Sequence, residues 1–378
     1  MFNYEKAVAS EYFVTVNDVE VQGKITVCLD DTIMVKGQLV TAGSKMLENF
    51  VAPFEATVVK KLNDADVAII GKSKVREFGI GTMIKDDFIP CGLLVVKDEL
   101  CDVLIANDFS GEYRRKAAEM GLVYIHPTYG TVSRFGLIQA FSSVDRLGVA
   151  ARDAETAFKV LSIIAGHDSN DGTSYPQESY EYNCDISASD IKAAVAYIGD
   201  NTEKTKAAAE KLSATEENLP FSDAVNAVQY ILSCAEISNN ITRYDGIKFG
   251  YRAKDYNGLN ELYLKTRTEG FTLDTKLTSV MGAMVLSESY YEKYYNKSMQ
   301  IRRLVKNELE ALFEKYDVLV LPGSLSEDKT PYENTVLTAY ANLAGMPSLS
   351  VCGVQLIANT KKENVLYSVA KALKGEAE

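Results

Sequence analysis

The sequence predicts an α/β fold in which a mixed, mainly parallel sheet is covered by helices on both faces. Short apolar runs bounded by turn residues alternate along the chain with amphipathic helical patterns. Several runs are continuously apolar over four or five residues, which is typical of strands buried on both faces. The length allows one large α/β domain or two smaller ones. A single domain over residues 1–378 is the preferred interpretation.

The predicted strands are distributed from the first third of the chain to its end. They occupy residues 67–71, 93–96, 103–106, 122–125, 193–199, 317–323 and 348–354. The first of them, VAIIG, follows the helix-like stretch EATVVKKLNDAD. Between about 200 and 316 the pattern changes to long amphipathic helices, so we expect a helix-rich part of the domain there.

The composition argues against two classes of function. The net charge is −12 over 378 residues, whereas nucleic-acid phosphates are bound by clustered Lys and Arg. Direct nucleic-acid binding is therefore not expected, and any link to tRNA would go through a partner. No apolar run approaches the roughly 20 residues that span a bilayer, and the first residues do not resemble a signal peptide. We expect a cytoplasmic protein with no membrane segment.

Cysteine and histidine provide little material for metal or acid–base chemistry. The six cysteines lie far apart without a C-x-x-C pair, which argues against a zinc site and against a disulfide framework. The two histidines, His126 and His167, are interpreted as turn or surface residues. No cofactor and no metal ion are predicted.

Several long motifs resemble the amidase-signature family, and within it the A subunit of the glutamyl/aspartyl-tRNA amidotransferases. They are SKMLENFVAPFEATVVKKL (44–62), HPTYGTVSRFGLIQAFSSVDRLG (126–148), GHDSNDGTS (166–174) and SNNITRYDGIKFGYR (238–252). KTRTEGF, FEKYDVLVLPG and NLAGMPSLSV extend the resemblance over most of the chain. The resemblance implies an amidase-signature fold. It also implies a subunit that hydrolyses glutamine and passes ammonia to a B subunit, in a complex that contains a small C subunit.

The family's chemistry uses a lysine, a bridging serine and a nucleophilic serine. The resemblance places the lysine at Lys36, because IMVKGQL is similar to a family strand that ends in Val-Lys-Asp-Asn. The match is partial, since Gly37 and Gln38 replace the last two residues and the loop before Ser44 is several residues shorter. A catalytically poised Lys36 and a structural or surface Lys36 are both left open.

The glycine-rich loop that should carry the bridging serine is replaced. Its nearest counterpart is IPCGLLVVKD, which places Leu93 and Leu94 at the family's serine pair. Glycines allow the backbone to approach a substrate carbonyl closely, and bulky side chains do not. Residues 93–96 are therefore expected to form a buried strand.

The segment that carries the nucleophilic serine in the family can be aligned with this chain without gaps, but the serine itself is replaced. An ungapped count back from the PTYG motif aligns residues 106–114 with Gly-Ser-Asp-Thr-Gly-Gly-Ser-Ile-Arg of the family. Asp108, Gly111 and Arg114 agree with that pattern. Glu112 falls at the position of the catalytic serine.

Two substrate-binding residues of the family are also replaced. The arginine that would hold the carboxylate of glutamine is missing from KLTS (276–279), where the resemblance points to Thr278. The aspartate that would hold the amino group falls on Thr335. A zwitterionic substrate would bind poorly without these charged partners.

These replacements predict a non-catalytic homologue, a pseudoenzyme that binds partners or supports an amidotransferase-like complex in translation, with B- and C-like subunits as the expected partners. Two alternatives are kept. One is an active glutamine-hydrolysing subunit or divergent amidase that supplies ammonia for Gln-tRNA or Asn-tRNA formation and uses Lys36, Ser110 as a displaced nucleophile, or another group. The other is a small-molecule sensor in which Glu112 and Lys36 form an ion pair. Whether the protein is an enzyme is left open.

Overall fold

An eleven-stranded sheet runs through the computed structural model, which describes residues 2–81, 88–199, 202–326 and 329–375. Its strands are β1 (Phe13–Val16), β2 (Thr26–Asp30), β3 (Ala68–Ser73), β4 (Val103–Asn107), β5 (Val123–His126), β6 (Leu147–Ala151), β7 (Ala193–Val195), β8 (Thr215–Glu216), β9 (Val318–Pro322), β10 (Ser348–Val351) and β11 (Val354–Ala358). Their order across the sheet is β1-β3-β2-β4-β6-β5-β10-β11-β9-β7-β8.

Thirteen α-helices accompany the sheet within these described ranges. They are α1 (Tyr4–Ala9), α2 (Thr57–Asp64), α3 (Cys91–Lys97), α4 (Glu112–Met120), α5 (Ala154–Ile164), α6 (Glu203–Lys211), α7 (Val225–Asn240), α8 (Gly258–Gly270), α9 (Leu273–Val285), α10 (Lys297–Leu312), α11 (Pro331–Asn334), α12 (Val336–Ala344) and α13 (Glu363–Lys374). A π-helical segment, Tyr291–Asn296, leads into α10. None of the described helices is long and apolar enough to cross a membrane.

Strand pairing confirms the predicted α/β class with a mixed sheet. Parallel pairing is found in two blocks, β3-β2-β4 and β9-β7-β8. The other six neighbouring pairs of described strands are antiparallel. The first parallel block matters for function, because the carboxyl ends of parallel strands meet at one edge of a sheet.

Alternating side chains along the strands fill both faces of the sheet. In β4, Val103 and Ile105 belong to a core shared with α2, α5 and α13, while Leu104 and Ala106 belong to a second core formed with α3 and α4. This period of two is the expected geometry of a strand buried on both faces. At the other end of the sheet, α7, α10 and α12 cover the second face. The prediction of helices on both faces is confirmed.

Most predicted strands coincide with observed ones, but the strand predicted at 93–96 is wrong. These residues lie in α3, whose first turn closes through the carbonyl of Pro90, which accepts from the amides of Leu93 and Leu94 at 3.0 and 3.4 Å. Leu93, Val95 and Val96 are fully buried against the sheet. A run of four apolar residues fits a buried helix as well as a buried strand.

The interpretation of His126 as a turn or surface residue is also wrong. His126 ends β5 and has no exposed surface, and neither ring nitrogen has a hydrogen-bond partner among the described residues. Burial and the nearby guanidinium groups of Arg146 and Arg114 lower the pKa of His126 well below its ordinary value. His167 is half-buried, and its Nδ1 lies 2.9 Å from the carbonyl oxygen of Tyr175.

Candidate functional site

The loop from β4 to α4 is organised by two residues that match the family pattern, Asp108 and Arg114. The carboxylate of Asp108 accepts from the amides of Tyr113 and Arg114 at 3.0 and 3.1 Å, so it caps the start of α4. It also accepts from Nε of Arg114 at 2.8 Å, and both side chains are fully buried. These two residues therefore hold the loop in place.

Arg114 connects the same loop to the rest of the core. Its Nη1 donates to the hydroxyl of Ser348 on β10 at 2.9 Å, and its Nη2 donates to Oδ1 of Asn342 on α12 at 2.6 Å. The amide of Asn342 in turn donates to the carbonyl of Phe109 at 2.9 Å. A buried cation is tolerated when its donors are satisfied in this way.

Gly111 is required by backbone geometry and by the approach of α12. Its φ is +76°, in the left-handed region that favours glycine. A Cβ atom at this position would lie 2.1 Å from Oγ1 of Thr338. Its agreement with the family pattern therefore has a structural explanation.

Glu112 is the first residue of α4, and its charged partner is Arg76. Nε of Arg76 donates to both carboxylate oxygens, at 3.2 and 3.3 Å. Burial raises the pKa of Glu112, while the guanidinium groups of Arg76 and Arg115 act in the opposite direction. The predicted pairing of Glu112 with Lys36 is wrong, because none of the described contacts of Glu112 involves Lys36.

Lys36 lies at the protein surface, in a turn and outside any strand. The turn is closed by hydrogen bonds from the amide of Gly37 to the carbonyl of Ala52 at 2.9 Å and from the amide of Gln38 to the carbonyl of Val35 at 3.0 Å. The expectation that Lys36 ends a strand is therefore wrong. The strand in this region, β2, ends six residues earlier.

A buried lysine that the sequence analysis missed lies on the neighbouring strand. Nζ of Lys72, in β3, contacts Oδ1 of Asp31 at 2.6 Å, and neither side chain is exposed. Nζ also donates to the carbonyl of Leu39 at 2.6 Å. Burial lowers the pKa of Lys72, and the nearby carboxylate of Asp31 opposes that shift.

Asp30, the last residue of β2, forms a second buried acidic position at the same edge. Its Oδ2 accepts from the amide of Asn107 at the end of β4 at 2.8 Å, and its Oδ1 accepts from the amide of Thr32 at 3.0 Å. Burial raises the pKa of Asp30 to about 6. The pair Asp30-Asp31 follows a short apolar run, which in an α/β fold is a signal for polar residues at the carboxyl end of a strand.

Glu77 is a buried carboxylate that joins two distant segments. Its Oε1 accepts from the hydroxyl of Ser44 at 2.6 Å. Its Oε2 accepts from the amide and the hydroxyl of Thr272 at 2.8 and 2.6 Å, and from the hydroxyl of Thr275. Glu77 therefore fixes the start of α9 against the loop at Ser44.

A small cleft brings together three of the residues predicted for the site, Ser110, Thr278 and Thr335. Its volume is about 60 Å³, whereas pockets for drug-sized ligands usually measure ~300–1,000 Å³. The other residues that line it are Ile80, Gly81, Phe109, Arg115, Gln229, Tyr230, Ser233, Ile237, Pro331 and Tyr332. Leu93 and Leu94 lie elsewhere, in α3.

Comparison with known proteins identifies the family. The family model described as Amidase matches residues 24–88 and 95–366. The chain belongs to the amidase family. Among its amidase relatives are the A subunits of glutamyl-tRNA(Gln) amidotransferase from Listeria welshimeri and Macrococcus caseolyticus. They are 36% and 34% identical to it, over 92% and 97% of this chain and 82% and 87% of their own lengths.

Solved structures support the same amidase fold. The A subunit of glutamyl-tRNA(Gln) amidotransferase from Thermotoga maritima superposes with a TM-score of 0.78 at 26% identity, over 97% of this chain and 88% of that chain. The peptide amidase of Stenotrophomonas maltophilia has a TM-score of 0.75 at 22% identity, over 93% of this chain and 82% of that one. The second likeness concerns the fold alone.

Proposed function

We propose that this amidase-family chain is a non-catalytic homologue of the amidotransferase A subunit, which acts by binding partner subunits. The observation that carries the proposal is the contact between Arg76 and Glu112. By the ungapped count, Glu112 occupies the position of the nucleophilic serine, and both of its carboxylate oxygens accept from one guanidinium group. No hydroxyl is available at that position for attack on a carbonyl.

The position of the family's lysine is better assigned to Asp30 than to Lys36. The family residue ends a strand and is followed by Asp-Asn, and here β2 ends at Asp30 and is followed by Asp31 and Thr32. Asp30 also lies beside Asn107, at the start of the loop that leads to Glu112. This assignment makes the segment before Ser44 six residues longer than a count from Lys36 does. A carboxylate then stands where the family has its lysine.

The position of α3 indicates which residues correspond to the loop that carries the bridging serine in the family. In the family, the glycine-rich serine loop precedes a short helix and the next strand, and here α3 is the short helix before β4. The loop therefore corresponds to residues before Cys91 rather than to Leu93 and Leu94. Residues 82–90 read TMIKDDFIP and contain neither serine nor glycine. Residues 82–87 lie outside the described part of the chain.

The size of the cleft also favours loss of catalysis. Thr278 and Thr335 line it in place of the charged residues that would bind glutamine as a zwitterion. Arg115 occupies part of the same region, and it is 7% exposed. A cleft of about 60 Å³ with one cation is a poor site for a substrate of that size.

An exposed apolar stripe on α9 supports the partner-binding role. Leu273, Leu277 and Val280 follow the 4-3 spacing of one helix face and are 64%, 48% and 67% exposed. Leu264 on α8 is 69% exposed. A row of exposed apolar side chains on one helix face, as on α9, is consistent with an interaction site. In the proposal the partners are amidotransferase B- and C-like subunits in the cytoplasm.

The partner-binding role is tested by substitution in the stripe. Leu277→Glu and Val280→Glu should each reduce co-purification with the B- and C-like subunits at least tenfold, because a charge would be buried at the interface. Val8→Glu is the matched control, since Val8 is 54% exposed on α1. Unchanged co-purification of both α9 variants would remove this part of the proposal.

A second candidate function, an active amidase that uses Ser110, is supported by the location of Ser110 in the cleft. A fluorophosphonate probe separates the two candidates because it labels activated serines. The non-catalytic proposal expects no labelling of the purified chain. Labelling that disappears in Ser110→Ala and persists in Ser189→Ala, an exposed-serine control, would favour the active enzyme.

A further inference from the structure

The guanidinium group of Arg115 lines the cleft and uses few of its donors within the described residues. Arg115 is 7% exposed, and its Nη1 donates to the carbonyl of Ser110 at 3.0 Å. That is the single hydrogen bond of its side chain among the described residues. Arginine carries five N–H donors, so most donors of Arg115 are available to a ligand in the cleft.

The carboxylates nearest to Arg115 are bound by other arginines. Arg76 donates to Glu112, and Arg114 donates to Asp108 at 2.8 Å. Burial lowers the pKa of the Arg115 guanidinium. The charges of Glu112 and Asp108 raise that pKa, but neither carboxylate forms a hydrogen bond with Arg115 among the described residues. One positive charge next to the cleft therefore lacks a bonded anion among the described residues.

The cleft beside Arg115 offers further donors for an anion. The hydroxyls of Thr278 and Tyr332 line it and have no hydrogen-bond partner in the described part of the chain. Ser233 contributes another hydroxyl, which donates to the carbonyl of Tyr230 at 2.9 Å. About 10–15 Å³ of such space holds one water molecule, so a cleft of about 60 Å³ has room for a group of a few heavy atoms.

We propose that this cleft binds a small oxyanion through Arg115, with a carboxylate of acetate size as the preferred ligand. A guanidinium group matches the two oxygens of a planar carboxylate in a bidentate contact. The anion supplies the partner that Arg115 lacks within the described structure, and the surrounding hydroxyls bind its remaining lone pairs. No chemical step on the ligand is involved, so the inference is independent of the proposed loss of catalysis.

Thermal unfolding in sodium acetate, sodium phosphate and sodium chloride at equal ionic strength tests the inference. A ligand that binds the folded state raises the Tm with its concentration. Acetate should raise the Tm of the wild type above the chloride series, and Arg115→Met should weaken the apparent affinity at least tenfold. Arg303→Met removes an exposed arginine and serves as the control, which should respond like the wild type.

Ser233→Leu provides a second variant, because it fills the cleft and leaves the charge of Arg115 unchanged. It should lose the acetate effect as well, and it decides the matter if Arg115→Met does not fold. A response to phosphate without a response to acetate would contradict the bidentate carboxylate and overturn the proposal. Equal responses of the wild type, Arg115→Met and Ser233→Leu would overturn the proposal, since they would indicate a general salt effect.

Discussion

Arg76 donates its Nε–H to both carboxylate oxygens of Glu112, at 3.2 and 3.3 Å, and the two side chains are only 15% and 10% exposed. The contact joins the segment after β3 to the first residue of α4. A carboxylate at a helix N-terminus is also favoured by the helix dipole. The place that the resemblance assigns to a nucleophile is therefore occupied by a largely buried ion pair.

A double-mutant cycle measures the coupling between these two residues. We expect Glu112→Gln and Arg76→Met each to lower the free energy of unfolding by a few kcal/mol, because each leaves a buried charge with fewer partners. The double variant should lose less than the sum of the two. Urea unfolding of the wild type, the two single variants and the double variant gives the coupling free energy. Strictly additive losses would show that the pair is not energetically coupled.

Lys72 and Asp31 form a more deeply buried pair. Lys72→Met should lower the free energy of unfolding by about 3–5 kcal/mol, since it leaves Asp31 charged without its ammonium partner. Lys24→Met is the matched control, because Lys24 contacts Asp66 at 2.6 Å on the surface, and its loss should be much smaller than that of Lys72→Met. Urea unfolding of both variants gives the comparison. Similar losses in the two would contradict the importance of burial.

Alanine substitutions at Gly111 and Gly121 distinguish the cost of a left-handed backbone from the cost of a steric clash. Both have a positive φ, +76° and +74°, but only Gly111 faces a close neighbour, Thr338, whereas Gly121 has open space around its Cβ position. Gly121→Ala should cost about 1–2 kcal/mol of stability from the left-handed backbone alone. Gly111→Ala should cost clearly more in the same unfolding experiment. Equal losses would show that α12 moves away without a penalty.

Asp30 should make stability depend on pH in a defined direction. Its folded-state pKa, about 6, lies above the ordinary 3.8, so the folded protein binds the proton more tightly than the unfolded chain. Its contribution is therefore favourable at low pH and is lost as the pH rises through 6. Relative to Asp30→Asn, the wild type should lose about 2 kcal/mol of unfolding free energy between pH 4 and pH 7. A relative gain over this range would contradict the pKa assignment.

The strands of the sheet were predictable because burial on both faces leaves a continuous apolar run. The runs at 103–106 and 122–125 became β4 and β5. The run at 93–96 became a helix, because its local composition does not reveal the hydrogen bonds to Pro90 that begin α3. The prediction of a single domain stays a prediction, and the continuous sheet supports it.

The candidate site was predictable where the chain is contiguous and not where distant segments meet. The loop from Asp108 to Arg114 was identified because its register could be counted from the PTYG motif. The partner of Glu112 could not be identified, since Arg76 lies 36 positions earlier and approaches only through the fold. Lys36 was chosen by local similarity, whereas β2 ends at Asp30, six residues earlier.

Ammonia release from glutamine by the purified chain, alone and with B- and C-like subunits added, tests the central claim most directly. We expect no release above the uncatalysed background in either case, because loss of a nucleophile alone lowers catalysis by orders of magnitude. An amidotransferase whose glutaminase activity is verified in the same assay, for example that of Listeria welshimeri, serves as the positive control. Release of ammonia that depends on the concentration of this chain and saturates with glutamine would contradict the account.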